Sequence, residues 1–307
     1  MKTERPMNLP ASVRARLQTI ASTQNVDFQL VLIRYASERL LYRLMSSPYG
    51  ERFILKGAML FLLWDAASSR TTRDIDLMGF GESNLNELGR VFRDVCLQTV
   101  PDDGLRFVPD SVRVETIREE QEYGGVRIRL YALLERARIP IQVDIGFGNP
   151  PFPAARTVTW PGLMDFPKTK LKVYPPEASI AEKLEAMVRF GIANSRMKDF
   201  YDIWWMASHF SFRSAVLGKS IAATFRGRQM NIPQPAPLAL QEEFYRDSMR
   251  NAQWNAFLHR VQLHEIPPSF PELGRFLQDF LVPILKSIPS GESLNTNWKP
   301  GGPWRPE

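Results

Sequence analysis

Two short segments constrain this chain more than any others: RDIDLMGFG at residues 73–81 and IPIQVDIGFG at 139–148. Each alternates side chains with the period of a strand, and each closes on Gly-Phe-Gly, which we read as a strand exit and not as a phosphate loop. A period of two sends Asp74 and Asp76 to one face and Ile75 and Leu77 to the other. In the second segment Ile139, Ile141, Val143 and Ile145 share one side, so Asp144 faces away from it together with Gln142. A strand whose solvent side is merely acidic satisfies Asp-x-Asp equally well, so the meaning of the pattern rests on what surrounds it.

The surroundings form an ordered series. Residues 11–22 (ASVRARLQTIAS) and 27–45 (DFQLVLIRYASERLLYRLM) are expected as helices, and Ser46-Ser47-Pro48 ends the second. RFILKGAMLFLLW, residues 52–64, begins as an apolar strand, turns at Lys56-Gly57 and continues as a helix. An amphipathic helix is expected over NLNELGRVFRDVCLQTV, where Leu85, Leu88, Val91, Phe92 and Val95 recur at helical spacing. SVRVETIRE, GVRIRLYALL and ARIPIQVDIGFG then alternate as strands of a meander. From Pro175 the pattern is helical, with segments near Glu177–Phe190, Met197–Ser208, Phe212–Phe225, Leu238–Met249 and Pro271–Leu285. The expected organisation is N-terminal helices packing on the core (1–50), an α/β core (51–170), a helical region completing the active site (171–286) and a disordered tail rich in Pro, Gly and Ser (287–307).

Composition enters where it excludes. At 307 residues and 44% hydrophobic content the chain can bury a core of its own. No run approaches the roughly 18 apolar residues of a membrane span, and MKTERPMNLP lacks the apolar centre of a signal peptide, so a cytoplasmic protein with no membrane partner is expected. Cys96 is the lone cysteine, expected buried in its helix. A net charge of +6 and a pI near 9.5 favour a polyanionic partner, although the arginines are spread along expected helices, as a solvated face would have them. His209, His259 and His264 lack metal-ligand spacing, and no G-x-x-x-x-G-K-[ST], G-x-S-x-G or G-x-G-x-x-G motif occurs.

What remains is an arrangement suited to phosphoryl transfer. Metal ions that bridge a triphosphate take oxygen ligands, and about three carboxylates fixed on strands supply them; Asp74, Asp76 and Asp144 are the candidates. Gly57, before a helix, lets phosphate approach backbone N–H groups. In the helical half, Ile180, Leu184, Met187 and Val188 form an apolar stripe with Lys183 at its edge, where it either snorkels to solvent or holds phosphate. In NSRMKDFYDIWWM, Asp199 lies close to the side carrying Phe200, Ile203, Trp204 and Ala207, and Asp202 lies further round, in reach of a surface pair with Lys198.

In this order FILKGAMLF, RTTRDIDLMGFG, IQVDIGFG and IAEKLEAMVRFGIANSRMKDFYDIW resemble the AbiEii/AbiGii toxin family of nucleotidyltransferases, from roughly Asp27 to Ser208. These are the toxin halves of toxin–antitoxin and phage abortive-infection systems. The resemblance implies an α+β fold: a DNA polymerase β-like nucleotidyltransferase core with a mixed sheet, N-terminal helices and a helical C-terminal half. It implies nucleotide transfer from an NTP with Mg²⁺ or Mn²⁺, tRNA 3′ ends as acceptor in related toxins, and a cognate antitoxin encoded by the adjacent gene. Asp74 and Asp76 match the metal-binding pair, Asp144 the third carboxylate, Lys183 the lysine of the helical half, and Asp199 the last motif with Asp202 beside it. Ala58 follows Gly57 where the superfamily often carries a serine, so phosphate contacts fall to backbone N–H groups or to Lys56, Ser68 or Ser69, with Arg70 and Arg73 as further candidates. A nucleotidyltransferase or phosphotransferase modifying a protein or small molecule, or a catalytically silent RNA-binding module that keeps the fold, are the alternative readings.

Overall fold

The computed structural model describes residues 8–64, 72–117, 125–261, 265–291 and 294–307. Ser68, Ser69, Arg70 and His264 lie outside the described residues. The chain divides into two compact units, one drawn from Met1–Gly148 and Arg156–Val173, the other from Asn149–Ala155 and Tyr174–Glu307.

The first unit opens with helices α1 (Leu9–Gln24) and α2 (Phe28–Ser46), started by the Asn8 and Asp27 side chains, which accept from the backbone N–H groups of Ala11 and Leu30. Strand β1 (Phe53–Lys56), a tight turn at Gly57–Met59, helix α3 (Leu60–Trp64) and strand β2 (Asp74–Gly79) follow. Helix α4 (Leu85–Leu97), β3 (Arg106–Phe107), β4 (Arg113–Ile117), β5 (Gly125–Leu134), β6 (Ala137–Phe147), β7 (Arg156–Thr159) and β8 (Lys170–Val173) complete the unit. The sheet runs β3-β5-β6-β2-β1-β8-β7, with β4 also pairing β5. It is mixed: β2 is antiparallel to β1 and parallel to β6, and β1 is parallel to β8.

The expected alternation holds across these strands. Leu55, Leu77, Ile145 and Val126 line up as cross-strand neighbours and are all at most 2% exposed. Helix α2 packs on β6, and α4 on β4 and β5. With one face covered in this way, a one-residue slip would bring every carboxylate into the core, so the register is strongly specified.

Helix α2 is also fastened by charge. Asp103 is fully buried, and its carboxylate accepts from Arg43 Nη1 and Nη2 at 2.7 and 3.0 Å and from Arg39 Nε at 2.7 Å. Tyr35 Oη donates to the Asp103 carbonyl at 2.7 Å. Burial alone would raise the Asp103 carboxyl, but the two guanidiniums outweigh it and hold it below the usual carboxylate range.

In the second unit, helices α5 (Pro176–Phe190) and α6 (Met197–His209) lead to a short strand β9 (Phe212–Arg213) and α7 (Ser214–Gly227). Then come α8 (Glu242–Arg246), α9 (Ser248–Arg260), α10 (Phe270–Ser290), β10 (Thr296–Trp298) and β11 (Trp304–Pro306). No helix among the described residues is long and apolar enough to cross a membrane. The structure departs from three expectations. The single helix expected over Leu238–Met249 is broken at Gln241, extended after a 3-10 turn at Leu238–Leu240, and again at Asp247, which is extended and caps α9 by accepting from the Arg250 N–H at 2.9 Å. Residues 149–155, expected in the core, belong to the second unit, where Ser220 Oγ donates to the Phe152 carbonyl at 2.5 Å.

The tail expected to be disordered is instead structured over its described residues: α10 continues to Ser290, and β10 pairs with β11 and β9. Its aromatic residues account for this. Trp298 is 2% exposed and donates to the Ala207 carbonyl at 2.7 Å, and Trp304 stacks on Phe280 and donates to its carbonyl at 2.9 Å.

Replacing Asp103 strands two buried guanidiniums. Asp103→Asn is expected to lower unfolding free energy by about 3–5 kcal/mol in denaturant titrations at neutral pH. A loss under about 1 kcal/mol would show that the network does not fasten α2.

Candidate active site

Strand β2 carries the carboxylates into a row that crosses the sheet. In register, Lys56 of β1 pairs with Asp76, Asp76 with Asp144 of β6, Asp144 with Arg127 of β5, and Arg127 with Glu115 of β4. One step along, Asp74 pairs with Gln142, and Gln142 with Arg129. Asp74 and Asp76 are half-buried, while Ile75 between them is fully buried. Asp74 and Asp76 therefore share the face opposite the apolar core.

The Lys56-Gly57 turn is shaped around Asp76. Gly57 has φ +73°, and a β-carbon there would lie 2.0 Å from Asp76 Oδ2, an impossible approach. Glycine is required twice over, by the backbone conformation and by the carboxylate against it. The Lys56 ammonium lies on the same face, against Gly146: a β-carbon at Gly146 would be 3.6 Å from Lys56 Nζ. Arg73 is exposed just ahead of β2.

Asp144 is differently engaged. Arg127 Nε and Nη2 donate to its two oxygens at 2.8 and 2.7 Å, a bidentate fork, and Gln142 Nε2 donates at 3.3 Å. The hydrogen bond to Asp144 raises the Arg127 pKa. Arg129 Nη1 meets Glu115 at 2.7 Å, so the neighbouring charges on this face are also paired.

A divalent cation such as Mg²⁺ is commonly held by one or two carboxylates, with substrate phosphates and water filling its remaining positions. Asp74 and Asp76, fixed on one strand face with glycine opposite, fit that donor set. Asp144 differs in already carrying a guanidinium on both oxygens, which neutralises its charge; among the described residues no three His, Cys, Asp or Glu side chains gather into a metal-holding group.

In the second unit, Lys183 of α5 sits between two carboxylates of α6, Asp199 at 2.9 Å and Asp202 at 2.5 Å, and Arg196 Nε meets Asp199 at 2.7 Å. Ile180, Leu184 and Met187 of the expected stripe are buried, and Val188 is half-buried. Asp202 differs from expectation: it is fully buried, not turned towards the surface, because α6 packs against α5, α9 and α10 and keeps little solvent-facing side. Burial works to raise Asp199, yet Lys183 and Arg196 prevail and hold it at about 2.

Sequence reasoning passed over Arg127. The signal was present: β5 and β6 are joined by a two-residue turn, Glu135-Arg136, and pairing counted back from Leu134 and Ala137 sets Arg127 opposite Asp144.

The first unit is thus an α+β fold with a mixed sheet whose acidic strand lies beside a glycine turn. The family model described as "Nucleotidyl transferase AbiEii toxin, Type IV TA system" matches residues 39–275, and the chain belongs to that family. The type IV toxin–antitoxin assignment implies an antitoxin partner. No curated protein matches the sequence. Among solved structures, JHP933 from Helicobacter pylori has 15% identity and a TM-score of 0.46, the match covering 85% of this chain and 94% of that one. A second H. pylori structure, described as a proposed nucleotidyltransferase, has 15% identity and a TM-score of 0.44, covering 83% and 94%.

The depressed Asp199 pKa has a consequence for stability. A carboxylate whose folded value lies below its ordinary 3.8 stabilises the fold fully above that value and loses the contribution as pH falls towards about 2. Asp199→Asn is expected to cost about 2 kcal/mol at pH 7, with the difference from wild type shrinking below about 0.5 kcal/mol by pH 2 in denaturant titrations. A difference that persists unchanged to pH 2 would refute the ion-pair account.

Proposed function

We propose that this protein transfers a nucleotide from an NTP to an RNA hydroxyl, the 3′ end of tRNA, with release of pyrophosphate, and that it acts as a toxin restrained by a cognate antitoxin. The observation that carries the reading is the pair Asp74 and Asp76, held on one strand face against a glycine turn that no other residue could form. The net charge of +6 is in keeping with a polyanionic acceptor.

In this reading Asp74 and Asp76 hold a divalent cation, Mg²⁺ or Mn²⁺, which when bound neutralises charge on the triphosphate. The Gly57 turn leaves room for phosphate oxygens beside its backbone, and Lys56 adds positive charge. Arg73 and Ser69 are further candidates for phosphate contacts. The acceptor oxygen attacks the α-phosphorus, the bond from that phosphorus to the α,β-bridging oxygen breaks, and pyrophosphate carries away the electron pair. The hydroxyl proton passes to a nearby carboxylate or to water. Lys183, held by Asp199 and Asp202, is a further candidate for a phosphate contact.

Asp76→Ala is expected to abolish growth inhibition on expression and to reduce NTP consumption by more than about a hundredfold, as loss of several kcal/mol of charge stabilisation requires. Thermal unfolding should stay close to wild type. A variant that still labels total tRNA from an α-³²P NTP at the wild-type rate would refute the assignment.

A further inference from the structure

We propose that Arg127 takes the place of a second metal ion at this site, with Asp144 as its positioning residue, so that the centre binds one divalent cation and not two. The inference rests on the nucleotidyl-transfer reading above.

Asp144 is the one carboxylate on β6 that shares the row of Asp76, and its two oxygens are taken by Nε and Nη2 of a single guanidinium at 2.8 and 2.7 Å. Both partners stand on strands locked in register by the β5–β6 hairpin, which runs unbroken from Val126–Ile145 to Leu134–Ala137. A metal ion ligated by Asp144 would be left the outward lone pairs of a carboxylate whose charge a planar fork already neutralises, and would sit against that guanidinium's positive charge. Asp74 and Glu115 add negative charge near Arg127, but among the described residues its hydrogen bonds go to Asp144 alone, and Glu115 meets Arg129 at 2.7 Å.

The fork also leaves the guanidinium equipped. It spends Nε and Nη2 on Asp144, and Nη1 donates to no described residue. A side chain 29% exposed, oriented by its carboxylate and retaining the two N–H donors of Nη1, suits an oxygen of the reacting phosphate. The site then offers a cation at Asp74 and Asp76 and a fixed guanidinium two strands away, in place of two ions held by three carboxylates.

Counting bound Mn²⁺ tests this without reference to turnover. The protein is titrated with Mn²⁺ in the presence of the four α,β-methylene ribonucleoside triphosphates, and bound ion is read from loss of the free-ion EPR signal. Wild type is expected to bind one Mn²⁺ per chain, Asp144→Asn one with affinity within about twofold of wild type, and Arg127→Ala two, because Asp144 is then released. Arg127→Gln, also expected to bind two, serves where the alanine variant does not fold. Two ions in wild type, a tenfold or greater loss of affinity in Asp144→Asn, or a single ion in the folded Arg127 variants would overturn the proposal and leave nucleotidyl transfer standing. No nucleotide-dependent Mn²⁺ in wild type would overturn both readings.

Discussion

The pairing of β2 with β1 on one side and β6 on the other is the constraint on which the rest of the site depends. Because strand side chains alternate strictly, burying Ile75, Leu77, Val143 and Ile145 against the helices obliges Asp74, Asp76 and Asp144 to emerge on the opposite face. The antiparallel pairing with β1 then brings the Gly57 turn to Asp76, and the β5–β6 hairpin brings Arg127 to Asp144. The apolar core thus positions the polar chemistry, and a stable register serves as the site's alignment device.

The protein treats its acidic groups in two ways. Where a carboxylate is fully buried, as at Asp103, Asp199 and Asp202, at least one cation lies within hydrogen-bond distance, because an uncompensated charge out of water is costly. Asp74 and Asp76 are half-buried on the strand face opposite the core, where an incoming cation and triphosphate would add to the groups they already meet. Asp144 is likewise partly exposed, and its two oxygens are held by the Arg127 fork.

Much of this was legible in the sequence, and the exceptions share a cause. Period-two alternation located β2, β5 and β6 and the facing of all three carboxylates, and the family resemblance singled out Lys183 with Asp199 and Asp202. Facts that depend on which elements meet were not legible. Asp202 is buried because helices pack around α6 on several sides, which one helix's own periodicity cannot report. The tail is built around Trp298 and Trp304, whose partners Ala207 and Phe280 are distant in sequence, so its Pro, Gly and Ser content suggested disorder. Arg127 is the intermediate case, since the tight turn at Glu135-Arg136 fixes its pairing with Asp144, but only once the hairpin is assumed.

The central claim, that the acidic face of this sheet serves nucleotidyl transfer, is tested most directly by following the two ends of the triphosphate. Purified protein with Mg²⁺ and total tRNA would be given NTPs labelled in parallel at the α- or the γ-phosphate. The account predicts that α-label enters the RNA while γ-label appears as pyrophosphate, in equal amounts. Transfer of γ-label to any acceptor, with nucleoside diphosphate as the product, would contradict it.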